Sequence, residues 1–400
     1  MNTATDLRCA TACATDPGAS GVAGMLAEQL TAGLDGGRAD VTLLFASPHF
    51  LESLPQLAVE LHEALPTQAL LGVSGESVIA GEREFENEPA LVAWAAKLPG
   101  ATVRSFHLSN DDIAGLDSPE SLQESLGVLP TQQPDFVLLA DPYSFDIARF
   151  VETLNQHYPN RTAVGGMASA ASAPGENVLI FEGQALHQGL VGLSLTGAAA
   201  IDTVVSQGCR PIGRHMVITK AERNIIYQIG GRSALATVQE LIEECPARDK
   251  ELMRRRGLLV GRVINEYQPS FSRGDFLIRN PLGFDASSGA MAVSDLVRVG
   301  QTIQFHVRDG ATAHEDLESL LSAAGDESTA GVLLFSCNGR GTRLFPEQHH
   351  DARCVSDAFG SPALAGFFCA GEIGPIGEKN FLHGHTASVG LLRRRRPQTA

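Results

Sequence analysis

The segment 135–169, DFVLLADPYSFDIARFVETLNQHYPNRTAVGGMAS, decides the fold. DFVLLAD (135–141) is an apolar run of strand length. In the stretch that follows, Phe145, Ala148, Val151 and Leu154 recur at helical spacing and share one face. RTAVGGMAS (161–169) is a second short strand that runs into a Gly-Gly turn. Strand, helix and strand in so short a span point to an α/β protein.

Working outward, DVTLLFAS (40–47), the helical FLESLPQLAVELHEAL (50–65) and QALLGVS (68–74) open β-α-β. LVAWAAKLPGATVRSFHL (91–108) reads as a β-hairpin about Pro99-Gly100. Downstream, AGVLLFSCNGRG (330–341) is a strand and turn, QHHDARCVSDAFG (348–360) a helix, and PALAGFFCAGEIG (362–374) a strand and turn. Many strand pairs have short links. The expected class is therefore α/β with α+β character: two domains of mixed, largely antiparallel sheets flanked by helices. Gly230-Gly231 marks the boundary, giving an N-terminal arm at 1–37, domains at 38–231 and 232–392, and a basic tail at 393–400. No repeat of 20–50 residues stands out.

The chain has 400 residues, 44% of them hydrophobic and 19% charged, enough for two cores. Its net charge of −16 argues against a nucleic-acid partner. No apolar run reaches the roughly 20 residues of a membrane span. The N-terminus lacks the pattern of a secretory signal, and seven scattered cysteines suggest no disulfide framework. A cytoplasmic protein is expected. Cys9 and Cys13 lie in a polar arm, and the RRRR run at 393–396 reads as a solvated tail.

Four turns carry the candidate chemistry. GVSGES (72–77) sets Ser74 and Gly75 in a tight turn that could also cradle an anion. VGGMAS (164–169) lets the backbone at Gly165 and Gly166 approach a ligand or another sheet closely. SQGCRPIG (206–213) brackets a bend with Gln207, Cys209 and Arg210, the last able to hold a carboxylate with its two-pronged donor. FSCNGRG (335–341) displays Ser336, Cys337, Asn338 and Arg340 at a strand end, followed by Gly371 and Glu372 in CAGEIGP. A nucleophile elbow needs a glycine where Phe335 stands, and Pro346 delays the next helix, so the reading favours ligand contact over covalent chemistry. His383 and His385, if extended, would share a side and could join Glu372 on a metal, but the spacing is not that of a metal site. No cofactor or metal is expected.

In this order the segments resemble the FIST family, named for F-box and intracellular signal transduction proteins. SQGCRPIG, FSCNGRG and GFFCAGEIGP carry the resemblance most strongly, with DVTLLFASPHF, LLGVSGESVIAGE and RTAVGGMASA in support. The resemblance implies a two-part sensory module, FIST N-terminal and FIST C-terminal, that binds a small ligand, with amino acids suggested. Bacterial relatives join it to signalling output domains, and eukaryotic ones to an F-box. The segment 1–37 is short for an F-box, so a signalling partner in trans is expected. The function expected is a non-catalytic sensor of an amino acid or small carboxylate. A cysteine-dependent hydrolase or transferase using Cys337, Cys209 or Cys369, and a protein-interaction scaffold, are the alternatives.

Overall fold

The computed structural model describes residues 6–116, 118–325 and 328–396. Strands hold 42% of the chain and helices 26%, so sheets set the architecture. The chain divides into two compact units. The first joins residues 1–205 to 318–382 and 386–400; the second is 206–317 with 383–385.

The first unit is one pattern used three times. Its first sheet has the strand order Arg8–Ala14, Leu91–Lys97, Ala39–Ala46, Thr67–Ser74, Leu179–Phe181, Gln184–Leu186. The second runs Ala101–Leu108, Leu190–Gly197, Asp135–Ala140, Ala163–Met167, Glu372–Ile376, Lys379–His383. The third runs Ala199–Gln207, Thr386–Arg394, Thr329–Cys337, Ala363–Cys369, Ser77–Ala80, Arg83–Glu86. In each, the two central strands are parallel and have antiparallel neighbours on both sides. A helix joins each parallel pair: Leu54–Ala64, Ile147–His157 or His350–Phe359. Each repeat also gives its outer hairpin to another sheet. The first repeat's hairpin extends the third sheet, the second's extends the first, and the third's extends the second. The exchange closes on itself, so no repeat completes its own sheet.

Side-chain alternation then fixes the layers. Val41, Leu43 and Phe45, Val137 and Leu139, and Leu333 and Phe335 point from the three sheets into one shared core. A small apolar cavity of 20 Å³ lies among Val41, Trp94, Val137, Leu193, Leu333 and Leu392. The outer face of the first sheet packs on the helices Val22–Gly33 and Leu54–Ala64. Helices of the second repeat cover the second sheet in the same way.

The repeat is also visible in register. Leu44 pairs with Gly72, Leu138 with Gly165 and Leu334 with Gly366. A Cβ on these glycines would lie 2.7, 1.8 and 1.8 Å from the carbonyl oxygen of the facing leucine, so close strand approach requires glycine at all three.

The second unit is built on an eight-stranded sheet centred on the long strand Cys209–Glu222, which pairs with Thr302–Arg308 and Ile225–Ile229. Ile212, Ile218, Val238, Phe305 and Val307 are part of its core. Gly230 and Gly231, the expected domain boundary, form a turn inside this unit between paired strands.

Three expectations are corrected. The strands at 91–97 and 101–108 exist but belong to different sheets, because the Pro99-Gly100 turn passes the chain between repeats instead of folding it back. The polar arm contains a strand, Arg8–Ala14, paired along its whole length with Leu91–Lys97. Its alanines and threonine are too small to announce a strand by hydrophobicity. The arginine run is a solvated tail only in part. Arg394 and Arg396 are exposed, but Arg393 is buried in the strand Thr386–Arg394 and donates to Asp202 at 3.2 Å, and Arg395 donates to Asp135 at 2.8 Å. Residues 397–400 lie outside the described residues.

Candidate functional site

The parallel strands of the first unit all end in polar turns, and Ser169 ties the three repeats together there. Its backbone N–H donates to the Ser74 carbonyl at 3.2 Å, its hydroxyl donates to the Phe368 carbonyl, and that hydroxyl accepts the Glu76 N–H at 2.8 Å. The Met167 N–H donates to the Gly371 carbonyl at 2.9 Å, and the Asn338 N–H to the Cys369 carbonyl at 3.0 Å. A Cβ at Gly166 would fall 2.3 Å from the Cys369 sulfur, and one at Gly75 2.8 Å from the Phe367 ring. Ser74, Gly75, Gly165, Gly166, Ser336, Cys337, Asn338, Arg340, Gly371 and Glu372 therefore all belong to the first unit and lie along these strand ends.

The third repeat differs from the others by a wholly buried ion pair. Arg340 is wholly buried. It donates from Nε to Asp351 at 2.6 Å and from Nη2 at 2.8 Å, a two-pronged pair. Asp351 also accepts the Ser336 hydroxyl at 2.9 Å and lies 2.9 Å from His350 Nδ1. Phe345 lies under the guanidinium, 5.2 Å away, and stacks on His350. The hairpin lent by the first repeat adds two acids. Glu84 accepts the Ala352 N–H at 3.0 Å, and Glu86 accepts the Thr342 N–H and hydroxyl. Glu372 accepts the Thr386 N–H at 3.0 Å and its hydroxyl at 2.7 Å through one oxygen.

Among the described residues, three buried atoms of this cluster have no hydrogen-bond partner: Arg340 Nη1, Glu372 Oε1 and Glu84 Oε2. Their electrostatics are opposed. Burial works against the Asp351 charge, but the Arg340 guanidinium holds its carboxyl well below the usual range. Burial pushes Glu372 up to about 8 against its Thr386 bonds, Arg340 and Cys337. Burial and the Asp351 charge push Glu84 up to about 8. The cluster thus holds one fixed ion pair and two carboxyls that keep protons near neutral pH.

Gln207, Cys209 and Arg210 belong to the second unit. Gln207 donates to the Phe276 carbonyl at 2.7 Å, and Cys209 is buried beside Phe276 and Ile278. Arg210 pairs with Asp249 at 2.5 Å and Asp309 at 3.3 Å, so its fork is spent on acids of its own unit. His385 has φ +65°, so 383–385 is not extended, and its Nε2 lies 3.0 Å from Asn280 Oδ1.

The sequence reading missed Ser169, Glu84, Asp351 and Thr386. Ser169 could have been noticed as the polar end of the Gly-Gly run. Asp351 could have been found by asking what a buried Arg340 needs. Glu84 sits on a hairpin of another repeat, and nothing local announces it.

The FIST N domain model matches residues 40–232 and the FIST C domain model residues 234–375. The uncharacterized protein Rv0628c of Mycobacterium tuberculosis is 39% identical over 362 residues, covering 90% of this chain and 92% of the relative. The uncharacterized protein Mb0898c of Mycobacterium bovis is 38% identical over 327 residues, covering 81% and 83%. A solved cyanuric acid hydrolase from A. caulinodans aligns over 98% of this chain and all of its own at 9% identity and a TM-score of 0.36, too slight a likeness to say that the folds are shared. With both domain models matched across most of its length, the chain belongs to the FIST family.

Proposed function

We propose that this protein is a sensory protein that binds a small polar ligand, an amino acid or small carboxylate, at the third-repeat strand ends of the first unit. FIST domains are associated with signal transduction, which fits a receptor whose output passes to a partner in trans. One observation carries the reading: among the described residues, Arg340 Nη1 and Glu372 Oε1 are buried without a hydrogen-bond partner in a cluster where both oxygens of Asp351 are used. Buried polar groups are nearly always satisfied, and those left open in a native fold call for a partner. A guanidinium N–H and a carboxyl oxygen in one cluster suit a ligand with a carboxylate or carbonyl near an amino group. Asp351 fixes Arg340 in place, so the donor is already oriented when the ligand arrives. The exposed Glu76–Arg343 pair, with Arg343 also bonded to the Asn338 carbonyl at 2.6 Å, bridges the turns outside the cluster and would part to admit the ligand.

A thermal-shift screen of amino acids and small carboxylates tests this. A ligand at a hundredfold excess over its Kd adds about 2.7 kcal/mol of stability. The reading expects at least one compound to stabilise the wild type and to lose that effect in Glu372→Gln. Folded protein that no compound stabilises at millimolar concentration contradicts it.

A further inference from the structure

Cys337 and Cys369 end the two parallel strands of the third repeat and are direct register partners. Paired residues on neighbouring strands project from the same face, about 4.8 Å apart between backbones, inside the span that a disulfide bridges. The corresponding strand ends carry Ser47 and Gly75 in the first repeat and Asp141 and Ala168 in the second, so paired thiols occur only beside the charged cluster.

The two thiols are not alike. Cys337 keeps 8% exposure, Cys369 none. The Cys337 sulfur accepts the Gly339 N–H at 3.5 Å and donates to Asn338 Oδ1 at 3.9 Å, so Cys337, the more exposed of the two, supplies the attacking sulfur. Cys369 is held against the Gly166 backbone, beside Glu372, with its thiol directed to the Phe367 carbonyl at 3.5 Å.

We propose that Cys337 and Cys369 are a reversible oxidation site, closed to a disulfide by hydroperoxides. The Cys337 thiolate attacks one oxygen of hydrogen peroxide; the O–O bond breaks, the sulfur becomes a sulfenic acid, and the departing hydroxide takes a proton to leave as water. The Cys369 sulfur then attacks the Cys337 sulfur, the S–O bond breaks, and the Cys369 proton leaves with that hydroxide as a second water. Two thiols lose two electrons and peroxide gains them. The bond joins the turn that carries Arg340 to the turn that carries Glu372, so oxidation sets their separation. The proposal stands on strand register and does not require the ligand reading.

Peptide mapping of the folded wild type decides it. After dilute hydrogen peroxide and alkylation of the remaining thiols, the expected product is a 337–369 linked peptide, lighter by two hydrogens, that dithiothreitol reverses. Cys369→Ser is expected to stop at a sulfenic acid on residue 337, trapped by dimedone. Wild-type protein in which both cysteines still alkylate after peroxide, or in which each is found separately as a sulfinic acid, overturns the proposal. So does an unlinked Cys369 that oxidises equally in Cys337→Ser. The wild-type mapping decides the matter even if a variant fails to fold.

Discussion

Ser47 and Cys337 end the same strand of the same repeated unit, with opposite surroundings. Ser47 is buried and neutral; its hydroxyl accepts the Ala90 N–H at 2.9 Å and lies 3.4 Å from His49. The second repeat is closed too, because Asp141 accepts from Ser144, Tyr143 and Asn177. At the third strand end a buried ion pair, two proton-holding carboxyls and three unfilled polar atoms crowd together. The same strand end is closed by a satisfied polar network at Ser47 and at Asp141 and left open in the third repeat. Since open buried valences cost stability, the third strand end is where function explains the departure.

That contrast can be broken most forcefully at the ion pair. Asp351→Ala leaves Arg340 charged and unpaired in the core, and chemical denaturation is expected to show a loss of about 3–5 kcal/mol. The double variant Arg340→Met, Asp351→Leu should cost less than that single change. A single variant within about 0.5 kcal/mol of wild type would show the pair to be incidental.

The glycines sharpen the repeat itself. Gly366→Ala and Gly165→Ala force a Cβ to 1.8 Å from a facing carbonyl, where Gly72→Ala meets one at 2.7 Å. Melting temperatures should fall more for the first two, by about 3 kcal/mol in stability, and less for the third. Equal losses would mean that the first pair is held as tightly as the other two.

Acid–base behaviour separates the strand ends next. A carboxyl whose folded pKa is raised binds its proton more tightly folded than unfolded. Its contribution is complete below the ordinary carboxyl range and is lost as pH rises toward about 8. Stability should therefore decline between pH 5 and 8, and Glu372→Gln should remove on the order of 3 kcal/mol of that decline. An unchanged pH profile in the variant contradicts the assignment. Asp351 acts with the opposite sign: its depressed pKa gives stability that is lost on acidification. The smallest effect belongs to the first repeat. Ser47→Ala should cost about 1 kcal/mol and leave ligand response and the pH profile untouched.

Much of this was legible in the sequence. The strand–helix–strand units announced themselves by periodicity, and most of the candidate residues came from the turns that follow them. The threefold pattern did not. Its parallel strands read LLFAS, LLAD and LLFSC, alike in apolar character but divergent where each ends, and the second unit interrupts the third copy. The exchanged hairpins were invisible because pairing between strands so distant in the chain leaves no local mark. The same distance hid Glu84. Arg340 was found for its position, but that it is buried and bound to Asp351 depends on packing between a strand end and a helix.

The most direct measurement is hydrogen–deuterium exchange with and without a ligand found by thermal shift. The account predicts new protection at 336–343, 349–352 and 368–373, with 47–51 and 141–146 unchanged. Protection confined to the first- or second-repeat strand ends, or to residues 206–317, would contradict it.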